Sequence, residues 1–160
     1  MTGEAYPTAK EISEDLLEKT GIALLAGDFD TFFECFHLPH FIASEKDKMV
    51  IENRDQFHDI FCRVTEDYMR KRVTDLIRVC DVAEFRTKTR IEAAHTTHMM
   101  CKSQRIAEPF PCYSILEFID GKWLISSSQY AVDTTTTVGT ALDAHLANAS
   151  KKSDNVRKPV

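Results

Sequence analysis

Two residues near the middle of the chain set a titratable group into an apolar strand pattern. In Ile77-Arg78-Val79-Cys80-Asp81-Val82-Ala83-Glu84-Phe85, strict alternation puts Asp81 in phase with Ile77, Val79, Ala83 and Phe85. A carboxylate in that phase loses hydration, its pKa rises, and it becomes suited to general acid–base work. A β-bulge near Cys80 would turn Asp81 outward instead. In Arg90-Ile91-Glu92-Ala93-Ala94-His95-Thr96-Thr97-His98-Met99, the charged Arg90 and Glu92 mark the outward phase. Ile91, Ala93, His95, Thr97 and Met99 then face inward, where a neutral imidazole could shuttle protons. The alternative is a core histidine satisfied by a neighbouring hydroxyl or carbonyl. Asp81 and His95 are the candidate catalytic residues, and His98, in the opposite phase, is the expected outsider.

Ligand-positioning groups come from a second pattern. Two runs rich in β-branched and aromatic residues flank Asp120-Gly121, the dipeptide suited to the positive φ angles of a type I′ hairpin turn. Regular pairing from that turn sets Phe118 opposite Trp123, Leu116 opposite Ile125, Ser114 opposite Ser127 and Cys112 opposite Gln129. The shared face is apolar beside the turn and small and polar at the far end. Ser114, Ser127 and Gln129 are therefore expected to orient a ligand in a largely apolar pocket, with plain strand filler as the competing explanation. Cys112 would be reactive only with a cation nearby to lower its pKa. The other face of the hairpin pairs Glu117 with Leu124, Ile115 with Ser126 and Tyr113 with Ser128, a composition that fits a subunit interface or an ordinary half-solvated sheet.

Two HxxH spacings, His37-Leu38-Pro39-His40 and His95-Thr96-Thr97-His98, invite a metal reading. Residues three apart on a strand project to opposite faces, so His95 and His98 cannot share an ion. His37 and His40 have no Cys or carboxylate placed to complete a zinc set. No metal and no cofactor is expected. His40 is kept as a residue at the pocket mouth. No GxSxG nucleophile motif or Gly-rich phosphate loop occurs among only five glycines.

The elements that must carry these groups are legible in outline. Thr8 and Glu11 form a capping box ahead of a helix with Ile12, Leu16, Ile22, Ala23 and Leu25 as its apolar stripe. Gly27 stops it and Asp28 caps a second helix carrying Phe29, Phe32, Phe33 and Phe36, with Pro39 marking its end. Phe41 to Ala43 and Met49 to Ile51 read as short strands across a charged turn. Asn53, with Gln56 three residues on, caps a third helix bearing Phe57, Ile60, Phe61, Val64 and Tyr68. Runs 76–86, 89–101, 109–119 and 122–132 then read as strands. Helices followed by long antiparallel strands predict an α+β domain with helices on one face of the sheet. The domain spans 1–133, and residues 134–160 form a tail, partly helical around 141–149 or disordered.

Composition narrows the function classes. A chain of 160 residues with 43% hydrophobic content supports one core. A net charge of −5 argues against a nucleic-acid partner, which needs a basic face. No apolar run approaches the roughly 20 residues of a membrane span. The N-terminus lacks a signal-peptide pattern, and five scattered cysteines without CxxC spacing fit a reducing, cytoplasmic setting.

Ala26-Gly27-Asp28-Phe29-Asp30, the helix after the short hairpin, and the closing Asp120-Gly121-Lys122-Trp123-Leu124-Ile125 together resemble the nuclear transport factor 2-like superfamily. Within it the chain looks most like SnoaL-like domains of the ketosteroid isomerase type, over roughly residues 9–132. The resemblance implies a cone-shaped α+β fold, a deep pocket between helices and sheet, and commonly a homodimer. It also implies a carboxylate base on the first strand. Ser44 stands near that place, with Glu45 beside it, and a serine cannot act as that base. The expectations are a cofactor-free lyase, isomerase or hydrolase working by proton transfer, a non-catalytic binding module for an apolar or partly polar small molecule, or a dimeric interaction domain.

Overall fold

Helix α1 (Ala9–Ala26) starts where the Thr8 hydroxyl accepts the Glu11 amide at 3.1 Å and the Glu11 carboxylate accepts the Thr8 amide at 2.8 Å. This reciprocal pair satisfies two amides that the first turn leaves without partners. Gly27 ends the helix with φ at +68°, a left-handed conformation that costs glycine little. The computed structural model describes residues 5–45 and 47–130. The tail over 134–160, its helix around 141–149 included, lies outside the described residues.

Helix α2 (Phe29–Phe33) is capped by Asp28 and is shorter than the phenylalanine spacing predicts. Phe36 begins strand β1 (Phe36–Ala43), because the backbone after α2 is claimed by the sheet: the Ile125 amide donates to the Cys35 carbonyl at 2.8 Å. Strand β2 (Lys48–Ile51) folds back on β1. Asn53 caps α3 (Arg54–Arg70), as its side chain predicts. Strands β3 (Asp75–Thr87), β4 (Arg90–Cys101), β5 (Gln104–Arg105), β6 (Phe110–Ile119) and β7 (Lys122–Tyr130) complete the chain. Asp120 and Gly121 both take positive φ, 50° and 81°, as a type I′ turn requires.

The sheet runs β2-β1-β7-β6-β4-β3, with β5 paired to β4. All neighbours are antiparallel except β1 and β7, which run parallel. The three helices lie against one face of this curved sheet, giving the expected cone-shaped α+β architecture.

Two apolar clusters hold the layers together. Phe29, Phe32, Phe57 and Phe61 from α2 and α3 pack with Ile42, Ile51, Met99 and Phe110 of the sheet. Ile12 and Leu16 of α1 pack on Ile91, Leu116 and Ile125. Of the expected stripe of α1, Ile12, Leu16 and Ala23 are buried and Ile22 and Leu25 are not. Leu17, Thr20, Gly21 and Leu24 are buried with them. Thr20 is tolerated inside because its hydroxyl donates to the Leu16 carbonyl at 2.8 Å.

Two β-bulges decide which side chains reach the helix-covered face. The ladder of β3 and β4 slips between Cys80 and Val82, leaving Asp81 as an extra residue. The ladder of β6 and β7 slips between Leu116, paired with Ile125, and Ile115, paired with Ser127, leaving Ser126 extra. Each slip inverts the facing of everything beyond it.

Candidate functional site

Between the two bulges the inner face of the sheet is laid out in rows. Cys80, His95, Cys112 and Tyr130 stand opposite one another on β3, β4, β6 and β7. Arg78, Thr97 and Phe110 form the row on one side, and Ala83, Ala93, Ser114 and Ser128 the row on the other. A polar row thus lies beside a row of small side chains, in the middle of a sheet that is apolar at both ends.

His95 is at the centre. It is 4% exposed, and its Nε2 is shut off from solvent with no hydrogen-bond partner. Burial, reinforced by the nearby Arg78 charge, pushes its pKa down to about 3, with Asp81 opposing weakly. The imidazole is therefore neutral across the physiological range. Cys112 is equally buried, and desolvation raises its thiol to about 11, so it is a protonated donor and no nucleophile at neutral pH. Its Sγ lies 3.7 Å from the Ser114 Oγ. Burial raises the Tyr130 phenol too, and it lifts that of Tyr68, on α3, to about 12.

Arg78 supplies the charge. Its Nη1 donates to the Leu17 carbonyl at 3.1 Å and to the Thr20 Oγ1 at 2.6 Å, tying β3 to the underside of α1. Gly21 lies over the same guanidinium, where a methyl group would sit 3.9 Å from Arg78 Cδ and Nη1. Sequence reasoning missed Arg78, because alternation through Asp81 assigned Ile77 and Val79 to the interior. The bulge reverses this. Ile77 and Val79 are about half exposed on the outer face, and Leu76, Arg78 and Cys80 point in.

The other expected site residues separate. His95 and Ser114 lie inside, in adjacent rows. Asp81 does not join them: as the bulged residue it faces out, accepting the Thr96 hydroxyl at 2.7 Å. Ser127 and Gln129 also fall outside the row, because the extra Ser126 moves Ser128 and Tyr130 inward in their place. Gln129 is exposed, and Ser127 borders a groove of about 400 Å³ with Phe41 and Val50. His40 is no mouth residue. It is 1% exposed, packed edge-on to Phe36 and against Phe57, and its Nδ1 hydrogen-bonds the Ile125 carbonyl at 3.3 Å. Desolvation holds its pKa at about 4. His98 faces the outer side near Arg105. Ser44 closes the turn after β1, its Oγ accepting the Asp47 amide.

A hollow of about 340 Å³ lies on the outer face at the ends of β1, β6 and β7, lined by Ser44, Lys48, Ala94, Pro111, Tyr113 and Gln129 with Cys112 and Tyr130 at its edge. Among the described residues, no three of His, Cys, Asp and Glu converge to hold a metal ion. No helix among them is long and apolar enough to cross a membrane.

The fold is that of the nuclear transport factor 2-like proteins. Solved structures similar to the chain include a nuclear transport factor 2-like protein of unknown function from Shewanella oneidensis, at 12% identity and a TM-score of 0.59, covering 75% of this chain and 96% of the other. Another is Rv3472 of Mycobacterium tuberculosis, also of unknown function, at 12% identity, a TM-score of 0.56 and 87% coverage of both chains. A third is a cystatin-like-fold protein of unknown function from Nostoc punctiforme, at 13% identity and a TM-score of 0.57, covering 81% of this chain and 96% of the other. At these identities the likeness is one of fold. No family model matches the sequence, and no curated protein does.

Proposed function

We propose that the chain is a small-molecule-binding protein whose ligand lies against the inner face of the sheet, hydrogen-bonded by His95 and flanked by Cys112 and Ser114. One observation carries the reading. A buried polar atom without a partner costs on the order of 1–3 kcal/mol, and the His95 Nε2 is such an atom in a region otherwise well satisfied. A ligand or a trapped water removes that cost. The small side chains of Ala93, Ser114 and Ser128 in the adjacent row flank the imidazole on the same face of the sheet.

Binding is favoured over SnoaL-type or isomerase-type proton transfer by the chemistry of the same residues. An efficient general base has a pKa near the working pH, whereas His95 sits at about 3. Asp81, the carboxylate expected to share its task, faces the other way. The test is nuclear magnetic resonance of the His95 ring during screening of a fragment library. Hits that shift the His95 ring signals and are lost in His95→Phe support the reading; a library whose hits all leave His95 unmoved sinks it.

The reading extends to assembly and compartment. Ile77, Val79 and Val82 on β3 and Phe41 on β1 expose apolar surface on the outer face of the sheet, which a second copy of the chain would cover. The described cysteines, all free thiols, suit a cytoplasmic setting.

A further inference from the structure

The three inner-face rows contain one full positive charge, Arg78, and no negative one. Arg78 carries five N–H donors in a fixed fork, and the bonds to Leu17 and Thr20 both come from a single nitrogen, Nη1. Among the described residues no carboxylate lies within ion-pairing distance of its guanidinium. Asp67, the acidic residue beside Tyr68, is engaged by Arg70 at 2.8 Å and Lys71 at 2.9 Å. The chain as a whole carries a net charge of −5, so an uncompensated cation drawn beneath α1 runs against its overall balance.

The surrounding groups have the same preference. Cys112 and Tyr130 hold their protons and are hydrogen-bonded to each other, so neither brings a negative charge to this face. The imidazole of His95 can present N–H at Nε2, the atom that has no partner. An unpartnered N–H near a guanidinium, with no negative charge between them, is complementary to an oxyanion, and arginine is the side chain best matched to the two oxygens of a carboxylate. Beside it, the row of Ala83, Ala93, Ser114 and Ser128 is small and uncharged, and Ala93 joins Ile12 and Leu16 of α1 in an apolar cluster, surroundings that suit an organic body more than a second charged group.

We propose that the site selects a small organic monoanion, a carboxylate or an equivalent oxyanion on a flat apolar body, with Arg78 and His95 as its binding residues. This rests on the small-molecule reading above and adds the charge of the ligand. Arg78 is then both a tie between β3 and α1 and the anchor of the anion, the tie made through Nη1 and the anchor through its remaining N–H groups.

The experiment titrates the 160-residue chain with benzoate and with benzamide, its neutral isostere, by calorimetry. Benzoate should bind at least tenfold more tightly than benzamide. Arg78→Met should erase that preference by weakening benzoate at least tenfold more than it weakens benzamide. Arg78→Lys, which keeps the charge, should retain a reduced preference and guards against a misfolded Met variant, with the melting temperature recorded for each. His95→Phe should weaken both ligands. Equal affinity for benzoate and benzamide, or an unaltered preference in Arg78→Met, would overturn the anion inference while leaving the small-molecule site in place. Benzoate binding that survives His95→Phe would remove the site itself, and absence of binding by either compound would count against both.

Discussion

Arg78 on β3 and Thr20 on α1 meet through a hydrogen bond of 2.6 Å, the shortest link between the sheet and the helix that covers it. Thr20 donates its own hydrogen to Leu16 and accepts from the guanidinium with a lone pair, so one buried hydroxyl serves both elements. A bond to a charged donor is worth roughly 1.5–3 kcal/mol. Thr20→Val keeps the shape and removes the acceptor. Chemical denaturation should show a loss of about 1–3 kcal/mol, and a double-mutant cycle with Arg78→Met should return a coupling of similar size. A coupling near zero would mean that the contact contributes nothing to stability.

Gly21, one residue on, gives the opposite expectation. It lies in the interior of α1, where glycine costs about 1 kcal/mol relative to alanine. A methyl group would meet Arg78 at 3.9 Å, ordinary van der Waals contact. Gly21→Ala should therefore raise stability by about 0.5–1 kcal/mol. A drop in melting temperature would show that Arg78 needs the open space above it.

Acid should destabilise the fold through two buried histidines. His40 and His95 are held at about 4 and about 3 in the folded chain, against about 6.5 when exposed. Above pH 6.5 both states are neutral and the full stability is present. As pH falls through 6.5 toward 4, the unfolded chain takes up protons that the folded chain does not, so stability falls. Each histidine contributes a loss of about 1.4 kcal/mol per pH unit in that window, or roughly 2–3 kcal/mol by pH 4.5. Melting curves between pH 7.5 and 4.5 should show this slope, shallower in His95→Gln. An identical slope in that variant would show that His95 titrates freely.

What was legible in the sequence, and what was not, divides at the bulges. The caps at Thr8 and Asn53, the Asp120-Gly121 turn and the strand carrying His95 follow from local chemistry, so their residues announce them. The inward phase of His95 was readable because Arg90 and Glu92 lie on the same uninterrupted strand. Ser127 and Gln129 are misplaced because a single extra residue, with no glycine to mark it, reverses the facing of the strand, whereas for Asp81 the alternative of a bulge near Cys80 is the one the fold adopts. The Ser126 bulge is held by a tertiary contact, its hydroxyl donating to the Ile115 carbonyl at 3.3 Å, which no local pattern encodes. Phe36 was misread for a similar reason, since pairing with Ile125 overrode its helical spacing.

Asp81→Asn is the functional counterpart of that correction. The side chain lies on the outer face, where an amide oxygen can still accept from Thr96. Stability should change by less than about 0.5 kcal/mol, as for most surface substitutions. Any ligand whose binding is abolished in His95→Phe should bind Asp81→Asn with unchanged affinity. A tenfold loss on Asp81→Asn would return that carboxylate to the site.

The outer face itself yields the last expectation. Ile77, Val79 and Val82 follow one another along the edge strand β3, and each is about half exposed. Phe41 adds a ring near the opposite edge of the sheet. Exposed apolar surface of this kind commonly marks an interface. If a second copy covers the face, light scattering after gel filtration should give twice the 18.2 kDa chain mass at micromolar concentration. Val79→Glu would place a like charge from each subunit in that interface, away from the inner row, and should return the protein to one chain mass without disturbing the His95 ring signals. A monomer in the unmodified protein would end the dimer proposal, and a dimer that survives Val79→Glu would move the interface elsewhere.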